Sequence, residues 1–159
     1  IRQFFDKTLL LAGAISKGSD IAAARMMGAD LAYMGTRFIN TKESLVQPEY
    51  KQMIVDSGSS DIVYTPNISG VFANFLKPSI VNAGLDPNNL VPKTDIDFGE
   101  ELEVDADHKD GDKAGGAWKQ IWSAGQGVGA IQNIPTTAEL VSTLIKEYQD
   151  AATSFSSPN

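Results

Sequence analysis

Residues 8–36 read Thr-Leu-Leu-Leu-Ala-Gly-Ala-Ile-Ser-Lys-Gly-Ser-Asp-Ile-Ala-Ala-Ala-Arg-Met-Met-Gly-Ala-Asp-Leu-Ala-Tyr-Met-Gly-Thr. This stretch decides the fold class. Thr8 to Ile15 is a near-continuous apolar run, which predicts a strand covered on both faces in a parallel sheet. Gly13 ends it. Ser19 or Asp20 is placed to cap a helix over 21–27, and Gly28 to stop it. Apolar residues return at 31–35 as a second strand. Strand, helix, strand is the parallel crossover unit, so the chain is expected to be α/β.

Outward from that unit the patterning is mixed. Tyr50, Met53 and Ile54 share one face of a helix expected from about Pro48 to Ser57. Residues 61–65 read as a short strand. Phe72, Phe75, Leu76 and Ile80 fall at helical spacing and predict a helix over 71–83, kinked or restarted at Pro78. Between 86 and 116 periodicity vanishes, and nine carboxylates crowd Asp95 to Asp112, as in a long solvated loop. A last helix is expected over about 137–152, with Leu140, Leu144 and Tyr148 repeating every fourth residue.

Composition narrows the function. The 159 residues carry 42% hydrophobic side chains, enough for one core. A net charge of −7 leaves no basic stripe for a nucleic-acid backbone. The absence of cysteine excludes disulfides and thiolate zinc sites, and suits a reducing cytoplasm. No apolar run reaches the length of a membrane span, and no leader pattern precedes the first strand.

Two glycine turns, at Gly13-Ala14 and at Met34-Gly35-Thr36, stand one helix-and-strand unit apart. In a parallel sheet both fall at the carboxyl ends of adjacent strands, where ligands bind. Small residues there let backbone N–H groups approach a phosphate; the alternative is that the glycines only end strands or permit close packing. A third glycine cluster, Gly125-Gln126-Gly127-Val128-Gly129-Ala130, fits the Gly-x-Gly-x-x-Gly/Ala pattern of dinucleotide turns. Its flanks oppose that reading: Trp118 to Trp122 is not a buried strand, and Pro135 interrupts the helix that should follow.

His108 lies in an acidic stretch and reads as a surface residue. Counted from Asp105, that stretch puts Lys109 in the fifth slot of a calcium loop and Gly116 where a bidentate Glu belongs, so a calcium hand is rejected and no metal is expected. Trp118, Trp122 and Phe75 are expected to fill cores.

Residues 11–38, with the blocks Tyr50 to Val55, Asp61 to Thr65, Ser69-Gly70-Val71, Ala73-Asn74-Phe75-Leu76 and Trp122 to Gly127, resemble in order the landmarks of nitronate monooxygenases. The Met34 to Phe38 block alone is shared with FMN-dependent enoyl-acyl-carrier-protein reductases, which supply the alternative reading; a non-catalytic, self-associating fragment is a third. The resemblance covers nearly the whole chain but only the carboxy-terminal half of the family's.

The resemblance implies the last two strands of an FMN-binding TIM barrel plus a helical region, an incomplete barrel lacking the first six strands. It divides the chain into barrel units with phosphate-binding turns (1–42), a mostly helical region with the acidic loop (43–117), and an active-site loop with the terminal helix (118–159). It implies FMN as cofactor, an alkyl nitronate and oxygen as substrates, and self-association as a way to cover open sheet edges. Gly13, Ala14, Tyr33, Met34, Gly35 and Thr36 are the implied phosphate-site residues. Gln126 is implied near the flavin ring or substrate, or else is a structural loop amide. The family's catalytic histidine has no counterpart here. Ala14 stands where the family often has a second glycine, and its methyl is accommodated if the local φ is negative.

Overall fold

The computed structural model describes residues 1–92 and 120–156. His108, Trp118 and most of the expected acidic loop lie outside the described residues. The chain divides into two compact units, Ile1–Ser59 with Gly125–Asn159, and Ser60–Ala124.

The first unit is built on the stretch that opened the sequence. Strand β1 (Leu10–Ala12) and strand β2 (Leu31–Tyr33) pair in parallel, Leu10 opposite Leu31 and Ala12 opposite Tyr33, with helix α1 (Gly18–Met26) as the crossover between them. Gly28 follows the helix with φ +94°, a left-handed position that costs glycine nothing. Only one face of the pair is covered. Leu11 and Ala32 pack with Ile15, Ala24 and Ala29, while Leu10, Leu31 and Tyr33 on the other face are 49%, 53% and 60% exposed. The expectation of a strand covered on both faces is therefore corrected. An unbroken apolar run cannot show which of its alternating sides has a neighbour.

The amino-terminal end of α1 also differs from expectation. The helix starts at Gly18, and Asp20, in its first turn, accepts hydrogen bonds from the N–H groups of Ser16 and Lys17, each at 2.9 Å. The N–H of Gly18 donates to Glu147 Oε2 at 2.6 Å, so the helix that closes the chain supplies part of the cap. That helix, α5 (Thr137–Ser156), buries Leu140 and Leu144 and holds Tyr148 half-buried. It approaches α1 so closely that a β-carbon on Gly18 would collide with the Leu144 carbonyl and lie 2.5 Å from the Tyr148 nitrogen. A four-residue helix α2 (Thr36–Ile39) leaves β2, and helix α3 (Pro48–Asp56), with Pro48 in its first turn, buries Tyr50 and Ile54.

The second unit contains an antiparallel pair, β3 (Ile62–Thr65) and β4 (Ala73–Leu76), registered Ile62 to Leu76 and Thr65 to Ala73. Helix α4 (Lys77–Asn82) follows directly. The helix expected over 71–83 is thus a strand and a shorter helix. The spacing of Phe72, Phe75, Leu76 and Ile80 fits both, because Phe75 and Ile80 enter one core with Ile68 and Ile121 while Phe72 stacks on Tyr64 outside it. Pro78 begins the helix instead of kinking it, since its missing N–H is harmless in a first turn. Trp122 closes the unit, its carbonyl accepting from the Leu76 N–H at 2.7 Å and its N–H donating to Ser79 Oγ at 2.9 Å. No described helix is long and apolar enough to cross a membrane.

Candidate functional site

Pairing Ala12 with Tyr33 brings the two glycine turns to the same end of the β1–β2 sheet. At the first, Gly13 has φ +103° and Ala14 φ +56°. The condition on which the Ala14 methyl would be accommodated, a negative φ, is not met. Two successive left-handed residues turn the chain sharply away from β1, and Ala14 bears a β-carbon penalty of about 1–2 kcal/mol to do so. At the second turn, Gly35 has φ −102°, a conformation open to any residue, so its value lies in the space it leaves. A β-carbon on Gly13 or on Gly35 would meet nothing within 4 Å. Gly13, Ala14 and Gly35 are exposed, and in α2 the Phe38 and Ile39 N–H groups already donate to the Gly35 carbonyl, at 2.9 and 3.1 Å.

The loop that posed as a dinucleotide turn lies across both. Gly125 N–H donates to Thr36 Oγ1 at 2.8 Å, and Ser16 Oγ donates to the Gly127 carbonyl at 3.0 Å. A β-carbon on Gly127 would be 2.6 Å from the Ala14 oxygen and 2.7 Å from Ser16 Oγ, whereas one on Gly125 would be 3.4 Å from Thr36 Oγ1. The glycines of this loop thus serve close contact with the chain's own turns. After Gly125 the backbone enters a 3-10 turn, Gln126–Ala130, anchored by fully buried Val128. Gln126 is exposed between the two anchor points.

The remaining expected residues divide by side chain. Met34 packs against the Ile15, Ala24 and Ala29 cluster and is half-buried. Tyr33 projects from the uncovered sheet face. Thr36 accepts from Gly125, which leaves its hydroxyl hydrogen to be donated. Sequence reasoning missed Ser16, Arg37, Asn133 and Glu147. Arg37 is buried, donating to Asn133 Oδ1 at 2.7 Å and to the Asn133 carbonyl at 3.3 Å. Burial holds its pKa below that of an ordinary arginine, against the opposing pull of Glu147. Its position within the Met34 to Phe38 block was a signal of importance, but its partner lies 96 residues away. Among the described residues no group of His, Asp and Glu side chains is arranged to hold a metal ion.

A family model described as nitronate monooxygenase matches residues 6–147, and the chain belongs to that family. It is 30% identical over 146 residues to the nitronate monooxygenase of Paraburkholderia phytofirmans, covering 90% of this chain and 38% of that protein. It is 26% identical over 139 residues to a probable nitronate monooxygenase of Staphylococcus saprophyticus, covering 87% and 38%. The chain therefore spans well under half the length of these relatives. Among solved structures, a nitroalkane oxidase from Streptomyces ansochromogenes superposes with a TM-score of 0.68 at 24% identity, covering 97% of this chain and 43% of that one. FabK from Thermotoga maritima superposes with a TM-score of 0.64 at 22% identity, covering 95% and 47%. Both likenesses concern the fold.

Proposed function

We propose that this chain is the FMN-phosphate-binding part of an enzyme that oxidises alkyl nitronates with molecular oxygen. The observation that carries the reading is the open space beside Gly13 and Gly35 at the end of two paired parallel strands, in a member of the nitronate monooxygenase family. A phosphate needs such an approach to backbone N–H groups, and a β-carbon at either position would fill it. Family membership further supports reading β1 and β2 as the last two strands of a TIM barrel, with the exposed face of Leu10, Leu31 and Tyr33 turned toward the barrel interior.

In that frame each residue has a task. The backbone N–H groups around Gly13-Ala14 and Gly35-Thr36 hold the phosphate, and the Thr36 hydroxyl donates one more hydrogen bond. The Gly125–Gly127 loop, fixed by Thr36 at one end and Ser16 at the other, keeps both turns in register and carries Gln126 where its amide can donate to or accept from the isoalloxazine ring or the nitronate. Bound FMN supplies the electron transfer that turns the nitronate carbon into a carbonyl with release of nitrite. No base for proton removal is assigned to this chain; a nitronate is already deprotonated. The protein is read as a cytoplasmic enzyme of small molecules.

The test is nitronate-dependent oxygen uptake with nitrite release by the FMN-loaded protein. Turnover of an enoyl thioester with a nicotinamide donor, in place of nitronate turnover, would remove the reading.

A further inference from the structure

The first unit has a half-open pocket of about 290 Å3, lined in part by Arg37, that none of Gly13, Ala14, Gly35 or Thr36 lines. Its polar lining includes Ser16, Lys17, Arg37, Gln132, Thr143 and Glu147 beside Asn133, and its apolar lining includes Leu140 and Leu144. Arg37 is only 7% exposed. Its hydrogen-bond partner, Asn133, is neutral, and among the described residues no carboxylate forms an ion pair with it, Glu147 acting on it only at longer range. A guanidinium taken out of water without a paired anion is a costly arrangement. Glu147 shares the cavity, but its Oε2 is engaged by the Gly18 N–H.

We propose that this cavity binds a small carboxylate, whose two oxygens take the free edge of the Arg37 guanidinium with Lys17 closing over it. The volume suits a ligand of a few heavy atoms, at the lower end of small-molecule pockets. A planar carboxylate matches the fork of N–H donors that Arg37 presents. Two cations against one carboxylate leave the wall with one net positive charge at neutral pH. Glu147 in that wall disfavours a dianionic phosphate more than a singly charged carboxylate. The Ser16 and Thr143 hydroxyls, whose hydrogens go to the Gly127 and Glu139 carbonyls, keep lone pairs that accept from a polar substituent on the ligand.

The experiment is a titration of the protein with sodium acetate and sodium lactate, at ionic strength held constant with chloride, followed by the backbone amide shifts of residues 16–18 and 132–133. Saturable shifts at these amides are expected for the carboxylates. Lys17→Ala, a change at an exposed position, should weaken the binding about tenfold, and Glu147→Gln, which keeps an oxygen for the Gly18 N–H, should tighten it several-fold. Arg37→Met should abolish it; if that variant does not fold, the other two still decide. Gly35→Asp should leave carboxylate binding intact, which separates this site from the flavin reading. Absence of saturable shifts, an unchanged affinity in Glu147→Gln, binding of inorganic phosphate in preference to carboxylate, or loss of binding in Gly35→Asp would each overturn the proposal.

Discussion

Gly127 packs directly on the carbonyl of Ala14: a β-carbon on Gly127 would stand 2.6 Å from that oxygen, closer than real β-carbons come. The contact joins residues 113 positions apart and locks the turn after β1 beneath the Gly125–Gly127 loop. Because backbone, not a flexible side-chain tip, is the neighbour, the clash cannot be relieved cheaply. Gly127→Ala is expected to destabilise the protein by about 1–3 kcal/mol, the ordinary range of overpacking, and to weaken FMN binding as the loop lifts. Gly125→Ala, with 3.4 Å to Thr36 Oγ1, should cost much less. Urea denaturation of the two variants side by side checks the ordering; equal stability would show that the loop does not rest on Ala14.

Ala14 offers a test of backbone geometry through the sign of an effect. With φ at +56°, Ala14→Gly should be neutral or stabilising by up to about 1 kcal/mol, because relief of the left-handed penalty offsets the greater flexibility that glycine adds to the unfolded chain. At a negative φ the same change would destabilise by about 0.5–1 kcal/mol. Chemical denaturation distinguishes the two.

Gly18→Ala should be among the most damaging single-methyl insertions in the first unit. The added carbon meets the Leu144 carbonyl and the Tyr148 nitrogen, so α5 must move off α1. The Gly18 N–H would then lose Glu147 as acceptor. A loss of about 2–4 kcal/mol is expected, combining overpacking with a part-buried hydrogen bond. A melting temperature within a degree of the parent would contradict the packing described.

These residues mark what sequence could and could not disclose. The β1–α1–β2 unit was legible because its signals are local: an apolar run, Gly28 at a helix stop and a second apolar run. Helix α5 was legible from the spacing of Leu140, Leu144 and Tyr148. The β4 strand was not, because Phe75 and Leu76 within it continue the helical spacing of Phe72 before it and Ile80 after it, and Phe72 has its partner, Tyr64, in β3. The open spaces at Gly13 and Gly35 and the crowded ones at Gly18 and Gly127 look alike in sequence. Only three-dimensional neighbours separate a glycine that makes room for a ligand from one that makes room for the chain. Glu147 as a cap for α1 was hidden for the same reason, being 129 residues from Gly18.

The amino-terminal end of α5 predicts a dependence on pH. The Thr137 N–H donates to both oxygens of the Glu43 carboxylate, at 2.9 and 3.0 Å, and these bonds, the backbone one foremost, hold the Glu43 pKa below its ordinary 4.5. A depressed carboxylate stabilises the fold above the unfolded pKa and loses that contribution as pH falls through the folded value. Glu43→Gln should therefore lower the melting temperature at pH 7, with the difference from the parent shrinking as pH falls below about 4.5. A difference independent of pH would show that the Glu43 charge does not act at this helix end.

In the proposed function, the Gly13 and Gly35 turns cradle the phosphate of FMN. The most direct measurement is FMN titration of the protein and of Gly35→Asp, followed by flavin fluorescence, with the circular dichroism melt of each recorded alongside. The β-carbon of the variant enters open space, so the melt should be unchanged while saturable FMN binding is lost to steric filling and like-charge repulsion. Equal FMN affinity in the two proteins would contradict the cradle and move the flavin site elsewhere.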